Sequence, residues 1–183
     1  MKIAVIGTGY VGLVTGSCFS YVGNDVICVD IDEQKINDLK KAKIPIYEEK
    51  LNGIISESIK QKKISFTTNI EKAVKESEII FLAVSTPMRD DGSSKLDYIL
   101  KAAIDIAKQM TEHKIIVVKS TVPVGTTLLI KETIEREISD KNITFDIINN
   151  PEFLKEGKAV DDFMYPDRII IGRLNSNVDD IFK

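Results

Sequence analysis

The chain opens on a short apolar run, Lys2 to Ile6, that breaks at once into Gly7, Gly9 and Gly12 in a GxGxxG spacing. A helical stretch follows, then a second apolar run that ends on the acid Asp30. No other feature narrows the fold as far, because a strand that turns sharply into a helix and returns as a strand is a βαβ unit, and each glycine in it has its own task. Gly7 permits the sharp turn, Gly9 lets the backbone approach a pyrophosphate, and Gly12 lets the helix pack closely on the sheet. The first N–H groups of the helix lack intrahelical partners and lie at the positive end of its dipole, so an anion is favoured there without a lysine. Asp30 is placed to accept hydrogen bonds from adenosine ribose hydroxyls, and its charge disfavours a 2′-phosphate. The unit predicts a dinucleotide site that prefers NAD to NADP.

Composition removes several other classes. The 183 residues are 43% hydrophobic and 29% charged, which suits one globular domain with a full core. No apolar run approaches the roughly 18 residues that cross a bilayer, and the expected location is cytoplasmic. The opening residues up to Cys18 resemble a secretory or lipoprotein signal only superficially: glycines interrupt the apolar stretch and Lys2 is the lone early cation. A net charge of −3 leaves no basic surplus for nucleic-acid phosphates. Lys60, Lys62 and Lys63 are expected at a solvated helix end. Cys18 and Cys28 sit among apolar neighbours and are expected as buried free thiols. His113 is the single histidine, so no histidine metal site or histidine base is expected, and it suits a turn before the apolar run 115–118.

Strand-like runs at 2–6, 25–29, 64–67, 79–84, 115–119, 145–148 and 168–171 alternate with helical periodicity at 11–21, 33–41, 70–75, 96–110 and 126–138. Such alternation predicts an α/β fold of the Rossmann type, a doubly wound, mainly parallel sheet with helices on both faces. Asn69 and Asp97 are expected helix caps. Residues 44–62, with Pro45 and an amphipathic stretch, form an insertion between the second and third strands. Ligands in such sheets lie at the carboxyl ends of the strands. Three loops fall there: 84–92, 120–125 and 149–157, the last carrying Glu152 and Glu156 four residues apart. On a helical turn these carboxyls would share a face and raise one another's pKa, as acid–base work needs.

The strings GTGYVGLV at 7–14, STP at 85–87, KSTVPVGTT at 119–127 and NPEFLKEGKAVDDFMYPDRIIIG at 150–172 resemble the UDP-glucose 6-dehydrogenase family, within the wider group of nucleotide-sugar dehydrogenases. The resemblance implies oxidation of UDP-glucose to UDP-glucuronate with two NAD. It implies cofactor contacts from Gly7, Gly9, Tyr10, Val11, Gly12, Asp30, Lys35, Thr86, Thr121 and Glu156. Glu152, Phe153, Leu154, Lys155 and Glu156 would line the sugar site, with Glu152 as general base or aid to hydrolysis and Thr121 holding a water. Lys35, one turn past Asp30, could lean over the adenosine, and Thr86 could meet the ribose or nicotinamide.

The family chemistry also needs a nucleophilic cysteine and a lysine, asparagine and aspartate around it. None lies in this sequence, and Cys18 and Cys28 match core positions instead. The expectation is an NAD-binding domain at 1–173, the start of a linker helix at 174–183, and a second domain outside this sequence, the whole acting as a homodimer. A dehydrogenase for UDP-N-acetylmannosamine or GDP-mannose, and a stand-alone NAD-sensing module, are the alternatives. A hydroxyacid or 6-phosphogluconate dehydrogenase shares the first unit but not the segment at 150–157.

Overall fold

The structure, a computed structural model, describes residues 1–173. The expected linker helix at 174–183 lies outside them. In chain order the elements are β1 (Lys2–Ile6), α1 (Tyr10–Tyr21), β2 (Asp25–Val29), α2 (Glu33–Leu39), α3 (Leu51–Lys60), β3 (Ile64–Thr67), α4 (Ile70–Glu76), β4 (Ile79–Leu82), α5 (Asp97–Gln109), β5 (Lys114–Val118), α6 (Thr126–Glu137), β6 (Phe145–Asn149), α7 (Ala159–Met164) and β7 (Gly172–Arg173). They build a seven-stranded sheet in the order β3-β2-β1-β4-β5-β6-β7, parallel except for β7. The expected Rossmann-type α/β fold is what forms.

Strands buried on both faces read as continuous apolar runs rather than alternating ones. In β1, Ile3 and Val5 join the core under α1, α2, α3 and α7, whereas Ala4 and Ile6 join the core under α4, α5 and α6. Cys18 and Cys28 are both free and buried in the first of these cores, as expected. Burial pushes each thiol up to about 12. At the far end of α5, the Lys141 ammonium donates to the carbonyls of Ala107, Lys108 and Met110, a cation among the acceptors at the helix C-terminus.

Local chemistry moves several predicted boundaries. The strand expected at 79–84 stops at Leu82, where the Ala83 N–H donates to the Ile6 carbonyl and the neighbouring chain turns away at Gly7. The strand expected at 168–171 does not form there: Asn150 donates its amide to the Ile170 carbonyl, and antiparallel pairing begins only at Gly172 and Arg173. Asn69 caps α4 through the Lys72 N–H, as expected. Asp97 does not cap α5; Leu96 holds that place, and the Asp97 carboxylate faces Arg89 at 3.2 Å. Asp32, which the sequence reading did not single out, caps α2 through the Lys35 N–H. The insertion contains α3, whose Leu51, Ile54 and Ile55 are buried.

The strand order reverses between β1 and β4, which opens a crevice at their carboxyl ends. Here the glycines are set by close approach. Gly7 has φ +100°, and a Cβ on it would lie 2.6 Å from the Ala83 carbonyl oxygen. A Cβ on Gly12 would lie 1.9 Å from the Gly7 oxygen.

Gly12→Ala is expected to lose about 3 kcal/mol or more, because the two nearest obstructing atoms, the Gly7 carbonyl oxygen and carbon, are backbone. Gly53→Ala, in the exposed part of α3 with nothing within 4 Å of a new Cβ, is expected to gain roughly 0.5–1 kcal/mol. Urea unfolding of the two variants measures both. The thiols supply a second check: with a pKa near 12, about one in 10⁴ is thiolate at pH 8. Ellman's reagent should therefore label neither cysteine in the native protein and both after unfolding.

Candidate functional site

The crevice begins where β1 ends and α1 starts on Gly9. No side chain caps α1 and no acid occupies its first turn, so its N–H groups face the crevice uncontested. A Cβ on Gly9 would meet nothing within 4 Å, so the space beside the turn is open to a ligand. Tyr10 and Val11, in the first turn, are half-buried.

Asp30, at the tip of β2, forms the centre of a compact network. Its Oδ2 accepts from the Thr8 N–H at 2.9 Å, the Thr8 hydroxyl at 2.6 Å and the Lys35 ammonium at 3.0 Å. Its Oδ1 accepts from the Asp32 N–H at 3.1 Å. Burial works to raise the Asp30 pKa, but these hydrogen bonds outweigh it and hold the carboxyl below the usual carboxylate range. Lys35 is thus folded back on Asp30 rather than standing apart from it. Thr8 had no motif signal of its own; its position next to the first glycine of the turn is what brings it to Asp30.

The opposite wall is built by the loops after β4 and β5. The Thr86 hydroxyl donates to the Thr121 carbonyl at 2.8 Å, which joins two of the residues singled out in sequence. Ser120 fastens the same loops by donating to the Val84 carbonyl at 2.7 Å. A third wall comes from residues 150–157. Glu152 and Glu156 do not share a helical face, because 151–155 carries no regular structure and a turn follows at 156–158. Glu152 is the reason: its Oε2 accepts from the Leu154 N–H at 2.7 Å and closes a local turn that competes with a helix. Phe153 is exposed, with the Arg168 guanidinium 4.7 Å from its ring centre, and the Lys155 N–H donates to Asp162.

Three further residues enter the site. Lys119, only 7% exposed, donates to Asn150 Oδ1 at 3.1 Å and lies over the Phe163 ring. It faces a cavity of about 300 Å³ that Phe19, Phe81, Glu152 and Leu154 also line. Loss of hydration pulls the Lys119 ammonium down to about 8, against the opposing effect of Glu152. Asn150 bridges Lys119 to the Ile170 carbonyl. Glu48, from the insertion, accepts from the Tyr10 hydroxyl and from the Gly157 N–H. Burial, helped by Glu48, pushes the Tyr10 phenol up to about 12, so it stays a donor at neutral pH. Lys119 and Asn150 stand inside the sequence strings quoted above; Glu48 had no signal.

Known proteins share this arrangement of elements. A family model described as the NAD binding domain of the UDP-glucose/GDP-mannose dehydrogenase family matches residues 1–183, and NAD is the cofactor of that domain. The UDP-glucose 6-dehydrogenase TuaD of Bacillus subtilis is 47% identical over 171 residues, 93% of this chain and 37% of the relative. That of Rhizobium meliloti is 46% identical over 175 residues, 94% of this chain and 39% of the relative. Among solved structures, a GDP-mannose dehydrogenase from Pseudomonas aeruginosa matches with a TM-score of 0.95 at 34% identity, over 100% of this chain and 43% of that one. A UDP-glucose dehydrogenase from Pyrobaculum islandicum matches at 0.93 and 34%, over 98% and 42%. The chain therefore spans about two fifths of the length of these proteins. No helix among the described residues is long and apolar enough to cross a membrane.

The low Lys119 pKa fixes a pH dependence. Unfolding returns the group to the ordinary lysine value of 10.5 from about 8, so between these pH values the unfolded chain binds more protons and stability rises with pH. The wild-type advantage over Lys119→Met should therefore grow by roughly 1–3 kcal/mol from pH 7.5 to pH 10. Urea titrations at both pH values measure the difference, and a constant gap would refute the assignment.

Proposed function

We propose, because the chain belongs to the UDP-glucose/GDP-mannose dehydrogenase family, that it is the cofactor-binding part of an enzyme that oxidises C6 of UDP-glucose twice to give UDP-glucuronate. The observation that carries this reading is the convergence, at one sheet edge, of the Asp30 network, the Thr86–Thr121 pair and the 152–157 loop. The open turn at Gly9 and the bare first turn of α1 suit a pyrophosphate. Asp30, fixed as a carboxylate by Thr8 and Lys35, accepts the ribose hydroxyls and disfavours a 2′-phosphate. Thr86 and Thr121 hold the nicotinamide side of the crevice. NAD supplies the hydride acceptor for each of the two oxidations.

Glu152 to Glu156 line the sugar side. Glu152 Oε2 holds its own loop, so we assign Oε1 to proton transfer, with the Thr121 hydroxyl orienting the water that completes the second oxidation. Glu156 bounds the cofactor side of the same loop. A thiol nucleophile is not assigned to this chain: Cys18 and Cys28 are both buried and hold their protons. We place that thiol, with the rest of the sugar-nucleotide site, in a further domain of the same polypeptide, the whole being a cytoplasmic homodimer. GDP-mannose is the second substrate reading, favoured by the backbone likeness to the Pseudomonas enzyme.

Calorimetric titration tests the cofactor half. NAD should bind this chain saturably, NADP at least about tenfold more weakly, and Asp30→Ala should lose about tenfold or more, near 1.4 kcal/mol. Equal binding of NAD and NADP would overturn the role given to Asp30. In the full-length enzyme, NADH formation with UDP-glucose against GDP-mannose decides the substrate.

A further inference from the structure

Glu48 sits where three parts of the chain meet. It belongs to the segment between α2 and α3, is 5% exposed, and directs one carboxyl oxygen, Oε2, at both the Tyr10 hydroxyl of α1 and the Gly157 N–H. The Gly157 N–H also lies 3.1 Å from the Tyr10 oxygen, so the three groups form a closed triangle. Gly157, at φ +86°, is the residue after Glu156 in the turn that ends the sugar-side loop. Two residues beyond Glu48, Lys50 reaches across to Asp161 in α7 at 2.6 Å. The insertion thus grips the 156–161 segment on both sides of Lys158.

The second oxygen of Glu48, Oε1, is buried with no hydrogen-bond partner among the described residues. A buried polar atom without a partner costs about 1–3 kcal/mol, and an apolar side chain would fill the same volume without that penalty. Packing alone does not account for the carboxyl group. What it supplies that an apolar residue could not is a fixed acceptor for the Gly157 N–H, anchored to the first turn of the cofactor helix.

We infer that Glu48 is a positioning residue: it ties the Gly157 turn to Tyr10 and so sets the 152–156 loop against the cofactor crevice. The inference deepens the functional reading above and, for its kinetic part, rests on it. The tie itself is a property of the fold and can be measured without substrate.

The test uses the full-length enzyme with Glu48→Ala, Glu48→Gln and Lys50→Ala. In amide hydrogen exchange, Glu48→Ala should speed exchange across 154–158 about tenfold or more, with α1 peptides unchanged. In kinetics, Glu48→Ala should lower kcat/KM for the sugar nucleotide about tenfold or more while NAD affinity stays within about threefold, and Glu48→Gln, which keeps an acceptor oxygen, should stay within about threefold of wild type. Unchanged exchange in Glu48→Ala overturns the inference. So does a Gln variant no better than Ala, or a loss of NAD affinity in step with the loss in kcat/KM. A wild type that oxidises neither sugar nucleotide defeats the functional reading instead, and exchange then decides the tie alone. If Glu48→Ala does not fold, Lys50→Ala decides: exchange across 156–161 about threefold faster supports the grip, and no change refutes it.

Discussion

The contact on which the rest depends is the meeting of bare backbones at the switch point of the sheet. Gly12 presses α1 against the Gly7 carbonyl, and Gly7 turns against the Ala83 carbonyl at the end of β4. With any side chain at either place, α1 could not begin where it does. Its unpaired N–H groups would then not face the crevice between β1 and β4. The position of the Asp30 network, the entry angle of α1 and its packing on Val26 and Cys28 all follow from that approach.

The two ends of the crevice are electrostatically opposite in how they treat charge. At the β2 end, Asp30 is partly buried yet given four donors, so its charged form is favoured. At the β5 end, the Lys119 ammonium donates to Asn150 and otherwise meets aromatic neighbours among the described residues, so its charged form is disfavoured. The difference is one of solvation by protein dipoles, since both groups are removed from water. A fixed negative charge at one end and a readily discharged cation at the other give the crevice a direction.

Much of this was legible in the sequence because the governing interactions are local. The GxGxxG turn, the tip acid and the apolar runs of β1 to β5 announce themselves within thirty-residue windows, and Asn69 caps its helix through a neighbour three residues away. Where a side chain finds a partner that its element's pattern does not announce, local reading fails. Asp97 looks like a cap until Arg89 is seen to take its carboxylate. The run 168–171 looks like a strand until Asn150 claims the Ile170 carbonyl. Glu152 and Glu156 look like neighbours on a helix until Glu152 binds its own backbone. Glu48 is the extreme case, since its partners are 38 and 109 residues away and nothing in its own neighbourhood marks it.

The strand order also dictates when the sheet can close during synthesis. Among the described strands β1 comes earliest in the chain yet is central in the sheet: its β2 side can pair once Asp25–Val29 is present, but its β4 side waits for Ile79–Leu82. The first 67 residues can assemble β1, β2 and β3 under α1 and α3, which buries Ile3 and Val5. Ala4 and Ile6 remain without their own cover until α4 to α6 arrive. A segment ending at Thr67 would therefore hold β1, β2 and β3 with helices on one face only, while the residues of the other face, Ala4 and Ile6, are apolar and find their cover in helices encoded later.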